Sequence, residues 1–384
     1  MKINNLYSDI DENIIDTLYN KLKKFKLKKP IKNNINDYNI QFYKTKFNLP
    51  LNTRFNILSN YIKLNFNINN FNKYWNKNFD NLNKWNNYLN KYSDFKSKQD
   101  LLLYNKLVLS KFVSQNVINN IINRTAWYTT IIGNNRNIII FGKSKKEVNE
   151  YISKTLLALD YFNIFYINRS KLNLFIFLSD EKKIFPNDNF YTPYNVNTAY
   201  AISKIEVVLF RKEEFEKVLF HELIHFYQLD VFHYQNSIRK NLPIYKFKIN
   251  PNEAYTDFFA IVLHLLYVNY VTKKSLKNLI KIELGFINHQ AKKILKYSKS
   301  NSIKNLKMFN QSTSVFSYFI LKSAMFNNLK IISSFDLTKF SISISLISNS
   351  ITNKNWNKLI FNKNNKFLKS NNLRMSFISK FLKN

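Results

Sequence analysis

The chain of 384 residues contains no cysteine, three glycines and six prolines. The absence of cysteine excludes disulfide scaffolds, thiolate zinc sites and cysteine nucleophiles. Gly133, Gly142 and Gly285 are too far apart to form the glycine-rich loops that bind dinucleotides or nucleoside triphosphates. Any metal ion in this protein must therefore be held by histidine and carboxylate side chains.

Acidic residues are also scarce, since 24 Asp and Glu against 59 Lys and Arg give a formal net charge of +35. Asn, Lys, Ile, Phe and Tyr are abundant together, which is typical of very AT-rich genomes such as those of some large DNA viruses. Lys far outnumbers Arg, the residue preferred for bidentate recognition of phosphate and guanine. We interpret the basicity mainly as codon bias, with nonspecific polyanion contact as a by-product. The alternative is a basic virion or nucleic-acid-associated structural protein.

Long apolar runs are missing too. The first 16 residues lack the apolar core of a signal peptide. The longest nearly apolar run, residues 258–268, is interrupted by His264 and is shorter than the ~20 residues that a bilayer requires. We therefore expect an intracellular protein, in the host cytoplasm or the virion if it is viral, without a signal peptide or membrane span. The oligomeric state is left open.

Sequence patterns divide the chain into three regions. Residues 1–128 and 291–384 are rich in Lys and Asn, and we expect both flanks to be mostly helical, with a basic C-terminal region. Between them, β-branched or apolar runs at 137–141 and 174–178 and an extended stretch at 198–210 predict strands, with a helix after Ser144. A further helix opens near Glu213. This order predicts an α+β domain over 129–290, with a small mixed sheet packed on that last helix.

The helix that opens near Glu213 contains His221, Glu222 and His225 in an HExxH pattern. Four residues make just over one helical turn, so both imidazoles lie on one face, as two ligands of one metal ion require. Glu222 lies about 100° around the helix, where it can reach a water molecule on the metal but is poorly placed as a ligand. With five His and eleven Glu in the chain, about 0.002 chance matches are expected. A structural histidine pair in the core is the alternative.

A third ligand is needed, and a second apolar helix is predicted to begin near Pro251 with Glu253 and Asp257 in the sequence NEAYTD. The two motifs together resemble the gluzincin family of zinc metallopeptidases, the thermolysin-like class. The resemblance implies a zincin-like fold with a helical lower lobe. It also implies that Glu253 is the third zinc ligand and that Asp257 hydrogen-bonds a ligating histidine. The alternative for Glu253 is a capping box with Asn250 at the N-cap. Residues 231–249 form an insertion between the two motifs.

Acidic side chains are concentrated around these motifs. Residues 206–257 contain eight of them, including Asp230, where even spreading would give about three. Part of this excess is the ordinary preference of helix N-termini for acid, at Glu213, Glu214 and Glu216. The remainder supports a site built from carboxylates.

Gluzincins also use a His or Tyr side chain to stabilise the oxyanion, and the sequence leaves its identity open. Tyr234, in the insertion, is our first candidate, and His289, beyond the second helix, is the next. His264 shares a helix face with Glu253 but lies about 16 Å along the axis, too far to be a ligand.

These residues predict one Zn²⁺ per chain and hydrolysis of a peptide bond in a protein or peptide substrate. Glu222 is expected to act as general base and then as proton donor to the leaving amine. The stretch TAYAISKIEV before the HExxH helix is the segment expected to bind substrate backbone as an edge strand. The alternative is a pseudopeptidase that binds zinc and a peptide without turnover.

Overall fold

The computed structural model describes residues 10–27, 30–31, 35–44, 107, 110, 112–133, 135–167, 170–188, 190–230, 249–299, 309–361 and 372–382. These residues form an α+β fold, which confirms the α+β class predicted from the order of strands and helices. Its centre is a six-stranded mixed sheet, and helices from both flanks pack against the same core as the central region.

The sheet has the strand order β1-β2-β3-β4-β7-β6. Strands β3, β4 and β7 run parallel to one another, while β1 and β2 on one side and β6 on the other are antiparallel to their neighbours. A separate two-stranded parallel pair joins β5 to β8. The strands are β1 Asn39–Lys44, β2 Trp127–Gly133, β3 Arg136–Gly142, β4 Leu172–Phe177, β5 Phe190–Tyr191, β6 Ala199–Ile202, β7 Glu206–Leu209 and β8 Asn310–Gln311.

Eleven α-helices and one π-helix lie within the described residues. The α-helices are α1 Glu12–Leu22, α2 Gln115–Arg124, α3 Lys145–Phe165, α4 Pro193–Val196, α5 Phe215–Phe226, α6 Pro251–Thr272, α7 Leu276–Tyr297, α8 Lys322–Phe326, α9 Leu329–Ser334, α10 Ile344–Ser350 and α11 Lys354–Phe361. The π-helix, Phe316–Leu321, leads directly into α8. Short 3-10 turns lie at Lys23–Phe25, Ile35–Asp37 and Ile378–Leu382.

The elements predicted for the central region are confirmed. The runs at 137–141 and 174–178 are β3 and β4, and the extended stretch at 198–210 folds into the hairpin β6–β7. Between β3 and β4, helix α3 forms the crossover that parallel strands require. It begins where predicted, because the Ser144 hydroxyl accepts a hydrogen bond from the Glu147 amide.

Helix α6 is buried on nearly every side and packs against α5. Among the described residues it is the one helix long and apolar enough to cross a bilayer by length and composition. Within its most apolar window, 83% of the residues are buried inside the fold. Contact with neighbouring helices therefore accounts for its apolar sequence.

The first region contains the strand β1 as well as helices, an element that the expectation of a mostly helical flank did not include. In NIQFYK, Ile40 and Phe42 alternate with polar residues and are half-buried, and the strand pairs with β2. The division into three regions stays a prediction. Nevertheless, one hydrophobic core includes Ile14 from the first region, Phe258 from the second and Ile378 from the third.

Candidate metal centre

Helix α5 supplies the two histidines. It is apolar on most of its surface and lies against β6 and β7, so its central turns are buried. His221 and His225 lie one turn apart, with ring centroids 4.7 Å apart and nearly perpendicular planes. Their Nε2 atoms are 3.1 Å apart and face each other. The predicted placement of both imidazoles on one helix face is confirmed.

Glu253 enters from the first turn of α6, which begins at Pro251 with Asn250 as N-cap residue. Its Oε2 atom lies 3.3 Å from Nε2 of His221 and 3.4 Å from Nε2 of His225. The three atoms form a triangle with edges of 3.1 to 3.4 Å. Tetrahedral ligands at about 2.0–2.1 Å from zinc are separated by about 3.3 Å. The triangle therefore has the size that a tetrahedral zinc ion needs.

The capping box considered as the alternative for Glu253 is not formed, because α6 has no side-chain hydrogen bond at its N-cap. Oε1 lies 3.5 Å from the side-chain amide of Asn250. Oε2, in contrast, is buried and has no hydrogen-bond partner among the described residues. A buried carboxylate oxygen without a donor is costly unless a cation compensates it. The same residue thus lies at the helix start and directs one oxygen toward the two histidines.

The outer nitrogen of each imidazole faces a carboxylate. Nδ1 of His221 lies 3.1 Å from Oδ1 of Asp257, and Nδ1 of His225 lies 2.6 Å from Oδ2 of Asp230. A carboxylate accepts a hydrogen bond, so each Nδ1 carries a proton and each Nε2 is the nitrogen directed to the centre. Both imidazoles are therefore oriented as metal ligands.

The contact of Asp257 agrees with the role expected for it, whereas the contact of Asp230 was missed. After α5 ends, Gln228 adopts a left-handed conformation with φ of 59°, and the amide of Leu229 hydrogen-bonds the Ile224 carbonyl. This turn brings Asp230 back to His225. The acidic excess around the motifs was the available signal, but it did not single out this residue.

The charges around the triangle favour a cation at its centre. Burial alone would raise the pKa of Glu253, but the His225 and His221 imidazoles hold this pKa far below its usual range. Burial alone would lower the pKa of His225, but the Glu253 and Asp230 carboxylates raise this pKa well above its ordinary value. Each imidazole therefore lies between two carboxylates: Glu253 faces both Nε2 atoms, and Asp257 or Asp230 faces Nδ1.

Asp257 is fully buried and contacts two lysines as well as His221. It pairs with Lys217 through Oδ1 and with Lys322 through Oδ2, the latter at 2.5 Å. Burial alone would raise the pKa of Asp257, but the two ammonium groups lower it well below its ordinary value. Asp257 is therefore an anion held between α5 and α8.

Glu222 lies beside the triangle without joining it. Its side chain is buried and lines an open cleft together with His221. Burial raises the pKa of Glu222 above its ordinary value, although His221 and His225 oppose that effect. A carboxylate with a raised pKa beside a metal site is suited to accept and return a proton.

Tyr318 is the functional candidate that the sequence did not indicate. It lies on the π-helix Phe316–Leu321, lines the cleft and has its ring centroid 5.9 Å from that of His221. Single π-helical turns are rare and frequently mark functional sites. Burial and the nearby Glu253 and Glu222 carboxylates raise the pKa of Tyr318 well above its ordinary value. Its hydroxyl therefore stays protonated and can donate a hydrogen bond.

The other donors considered from the sequence do not line this cleft or cannot be described. Tyr234 lies outside the described residues. His289 lies on α7 beside Lys293, and burial lowers its pKa to about 4. His264 is fully buried, with Nδ1 3.4 Å from the Ser376 hydroxyl, as the distance argument against a ligand role predicted.

The cleft runs between the edge of the sheet and α5. It is lined by residues 196–199, by residues 217–218 and 221–222 of α5, and by Tyr318 and Met375. In the sheet formed by the described residues, β6 is an edge strand, as expected for the segment before the HExxH helix. The chain matches no protein-family model, no curated protein and no solved structure, so the function of this cleft has to be inferred from its own geometry.

Proposed function

We propose that this protein is a zinc-dependent metallopeptidase. The observation that carries the proposal is the triangle of His221, His225 and Glu253, whose donor atoms converge beside a buried Glu222. Two imidazoles and one carboxylate, with a fourth position left for a small molecule, are the ligand set of catalytic zinc sites. One Zn²⁺ per chain would be held by these three residues. Zinc at such a site polarises a carbonyl and makes a water molecule acidic near neutral pH.

Glu222 and Tyr318 would carry out the proton transfer and the charge stabilisation. Glu222 takes a proton from the attacking water and then delivers it to the leaving amine, a role that its raised pKa favours. Tyr318 donates its hydroxyl hydrogen to the oxyanion that forms on the scissile carbonyl. We therefore propose Tyr318 for the oxyanion role for which Tyr234 was the first candidate.

The edge strand β6 would bind the backbone of an extended substrate. The amide of Phe210 hydrogen-bonds the carbonyl of Thr198, so hydrogen-bonded pairs alternate along β6 and β7 from that point. The backbone N–H and C=O groups of Ala199 and Ala201 consequently face away from β7. A peptide that pairs with them becomes an added strand and runs past the triangle.

A zincin-like fold is part of the same proposal. It is supported by an antiparallel edge strand above the HExxH helix and by a third ligand from a second helix beneath it. The helices after α6 then correspond to a lower lobe that supplies Tyr318 to the site.

The experiment compares wild type with Glu253→Gln, Glu222→Gln and, as a matched control, Glu150→Gln. Glu150 is an exposed residue of α3 that pairs with Lys154. Metal analysis after zinc loading should give one zinc per chain in all variants except Glu253→Gln. A peptide library should be cleaved by wild type and Glu150→Gln but not by Glu222→Gln. Absence of zinc from wild type would refute the proposal, and zinc without cleavage would favour the pseudopeptidase.

A further inference from the structure

The C-terminal segment 372–378 is held inside the fold rather than on its surface. Residues 373–378 are all buried. The amide of Leu373 hydrogen-bonds the Lys183 carbonyl at 3.0 Å, and Nε2 of Gln290 donates to the Arg374 carbonyl at 2.5 Å. The segment is therefore fixed at its beginning by two separate elements.

Two buried carboxylates hold the rest of the segment by its backbone. Oε1 of Glu214 accepts hydrogen bonds from the amides of Met375, at 2.8 Å, and of Ser376. Oε2 of Glu283 accepts hydrogen bonds from the next two amides, of Phe377 at 2.9 Å and of Ile378 at 3.1 Å. Four successive N–H groups are thus satisfied by side chains of the surrounding helical region.

Glu214 connects this segment to the candidate metal centre. It immediately precedes α5 and has a left-handed backbone with φ of 59°. Its other oxygen pairs with the buried ammonium group of Lys183. The residue that starts the HExxH helix therefore also fixes the position of Met375.

Met375 faces the cleft. Its carbonyl accepts a hydrogen bond from Lys322 at 3.3 Å, and its sulfur lies 3.7 Å from the ammonium nitrogen of Lys217. The Met375 side chain and the apolar side chains of Val196 and Val218 line the same cleft. Val218 and Glu222 are four residues apart on α5, so this apolar part of the cleft adjoins the proposed general base.

We infer that the C-terminal segment forms a wall of the substrate cleft and that Met375 determines the size of the side chain accepted next to the scissile bond. The inference depends on the proposed peptidase function. The accepted side chain would be small and apolar, because Met375, Val196 and Val218 line the same cleft and the nearby lysines are already engaged by Asp257. Specificity would thus depend on a residue about 150 positions after the HExxH motif.

The test uses Met375→Ala, the milder Met375→Val and the matched control Met325→Ala. Met325 is a fully buried methionine of α8 that does not line the cleft. Peptides should vary at the residues on either side of the scissile bond, from alanine to leucine and phenylalanine. Met375→Ala should shift the ratio of kcat/KM for leucine over alanine by about 10-fold or more, Met375→Val less, and Met325→Ala not at all.

A second readout does not require turnover. Zinc-loaded Glu222→Gln protein, with and without Met375→Ala, would be titrated with peptide hydroxamates carrying the same side chains. The same shift in preference is expected in the dissociation constants. Unchanged preference in both Met375 variants, with zinc still bound, would overturn this inference alone. A wild-type chain that binds neither zinc nor hydroxamates would refute the proposed function, and the inference with it.

Discussion

Asp230 and Asp257, the two carboxylates that face the imidazoles, should respond differently to the same substitution by asparagine. Asp230 contacts Nδ1 of His225 at 2.6 Å, and it forms no ion pair with a lysine or arginine among the described residues. Asparagine can still accept that hydrogen bond but lacks the charge that makes the imidazole more basic. We expect zinc affinity to fall by about 10- to 100-fold, about 1.4–2.7 kcal/mol, with little loss of stability.

Asp257 also forms ion pairs with Lys217 and Lys322, and its replacement would leave both lysines without a carboxylate partner. Both lysines are about 1% exposed, and the carboxylate itself is fully buried. Removing one partner of a buried ion pair costs about 3–5 kcal/mol. Asp257→Asn should therefore lower the free energy of unfolding of the zinc-free protein by that amount, in addition to weakening zinc binding.

Two measurements separate the two effects. Urea unfolding of the zinc-free proteins gives the stability, and competition with a chromophoric chelator gives the zinc affinity. Asp16→Asn, a half-exposed residue paired with Lys277, is the control. If both site variants lost the same unfolding free energy, the argument from the two buried lysines would be refuted. If Asp230→Asn bound zinc as tightly as wild type, Asp230 would have no role in orienting His225.

Three further predictions concern the oxyanion, pH and the net charge. Tyr318→Phe should retain zinc but reduce kcat/KM by about 10²–10³-fold, and an unaffected rate would assign the oxyanion to another donor. Burial raises the pKa of Glu283 to about 7, against the backbone hydrogen bonds of Ile378 and Phe377 that lower it. The folded state therefore keeps a proton that the unfolded state loses, and stability should fall as pH rises from about 4.5 to 7. Zinc-free Glu283→Gln should lack this loss and gain about 3 kcal/mol relative to wild type across that range, as measured by urea unfolding at each pH. Finally, DNA binding should be weak, independent of sequence and steeply lost between about 50 and 200 mM salt, as measured by fluorescence anisotropy. A salt-resistant, sequence-selective complex would favour the nucleic-acid-associated alternative instead.

The parts of the site that the sequence predicts are those set by local periodicity. The i, i+4 spacing of His221 and His225 places them on one face of any α-helix, whatever surrounds it. Pro251 after Asn250 marks the start of α6, so the position of Glu253 in its first turn follows from the sequence too. The strands β3 and β4 are short apolar runs, and this composition alone distinguishes them from the polar flanks.

The residues that were missed reach the site through tertiary contacts. Tyr318 and Lys322 lie about 100 positions after the HExxH motif in an apolar segment that predicts only a buried helix. Nothing in that pattern indicates a π-helical turn or which side chain faces the cleft. The position of Met375 is even harder to predict from the sequence. Its segment is held by hydrogen bonds of its backbone amides, which do not depend on which side chains the segment carries. Strand β1 was missed because its apolar alternation covers only two residues, Ile40 and Phe42.

The buried charges beneath the cleft explain why these distant residues belong to one unit. Four cations and four carboxylates lie around the start of α5 and the C-terminal segment: Lys183, Lys217, Lys322, Arg374, Glu213, Glu214, Asp257 and Glu283. Buried ion pairs of this kind are weak evidence for stability, because desolvation offsets most of the attraction. Their effect here is positional: Lys217–Asp257 joins α5 to α6, and the other pairs and hydrogen bonds join the start of α5, α6 or α7 to Lys183 or to residues beyond 290.

A chain that ended at residue 290 would keep all three proposed zinc ligands. It would nevertheless leave Asp257 with one lysine instead of two, Glu214 and Glu283 without the amides they bind, and the cleft without Tyr318 and Met375. Each of those buried carboxylates would then lack a partner, which costs more than the pair itself contributes. The geometry of the candidate metal centre therefore depends on residues as far along the chain as Ile378.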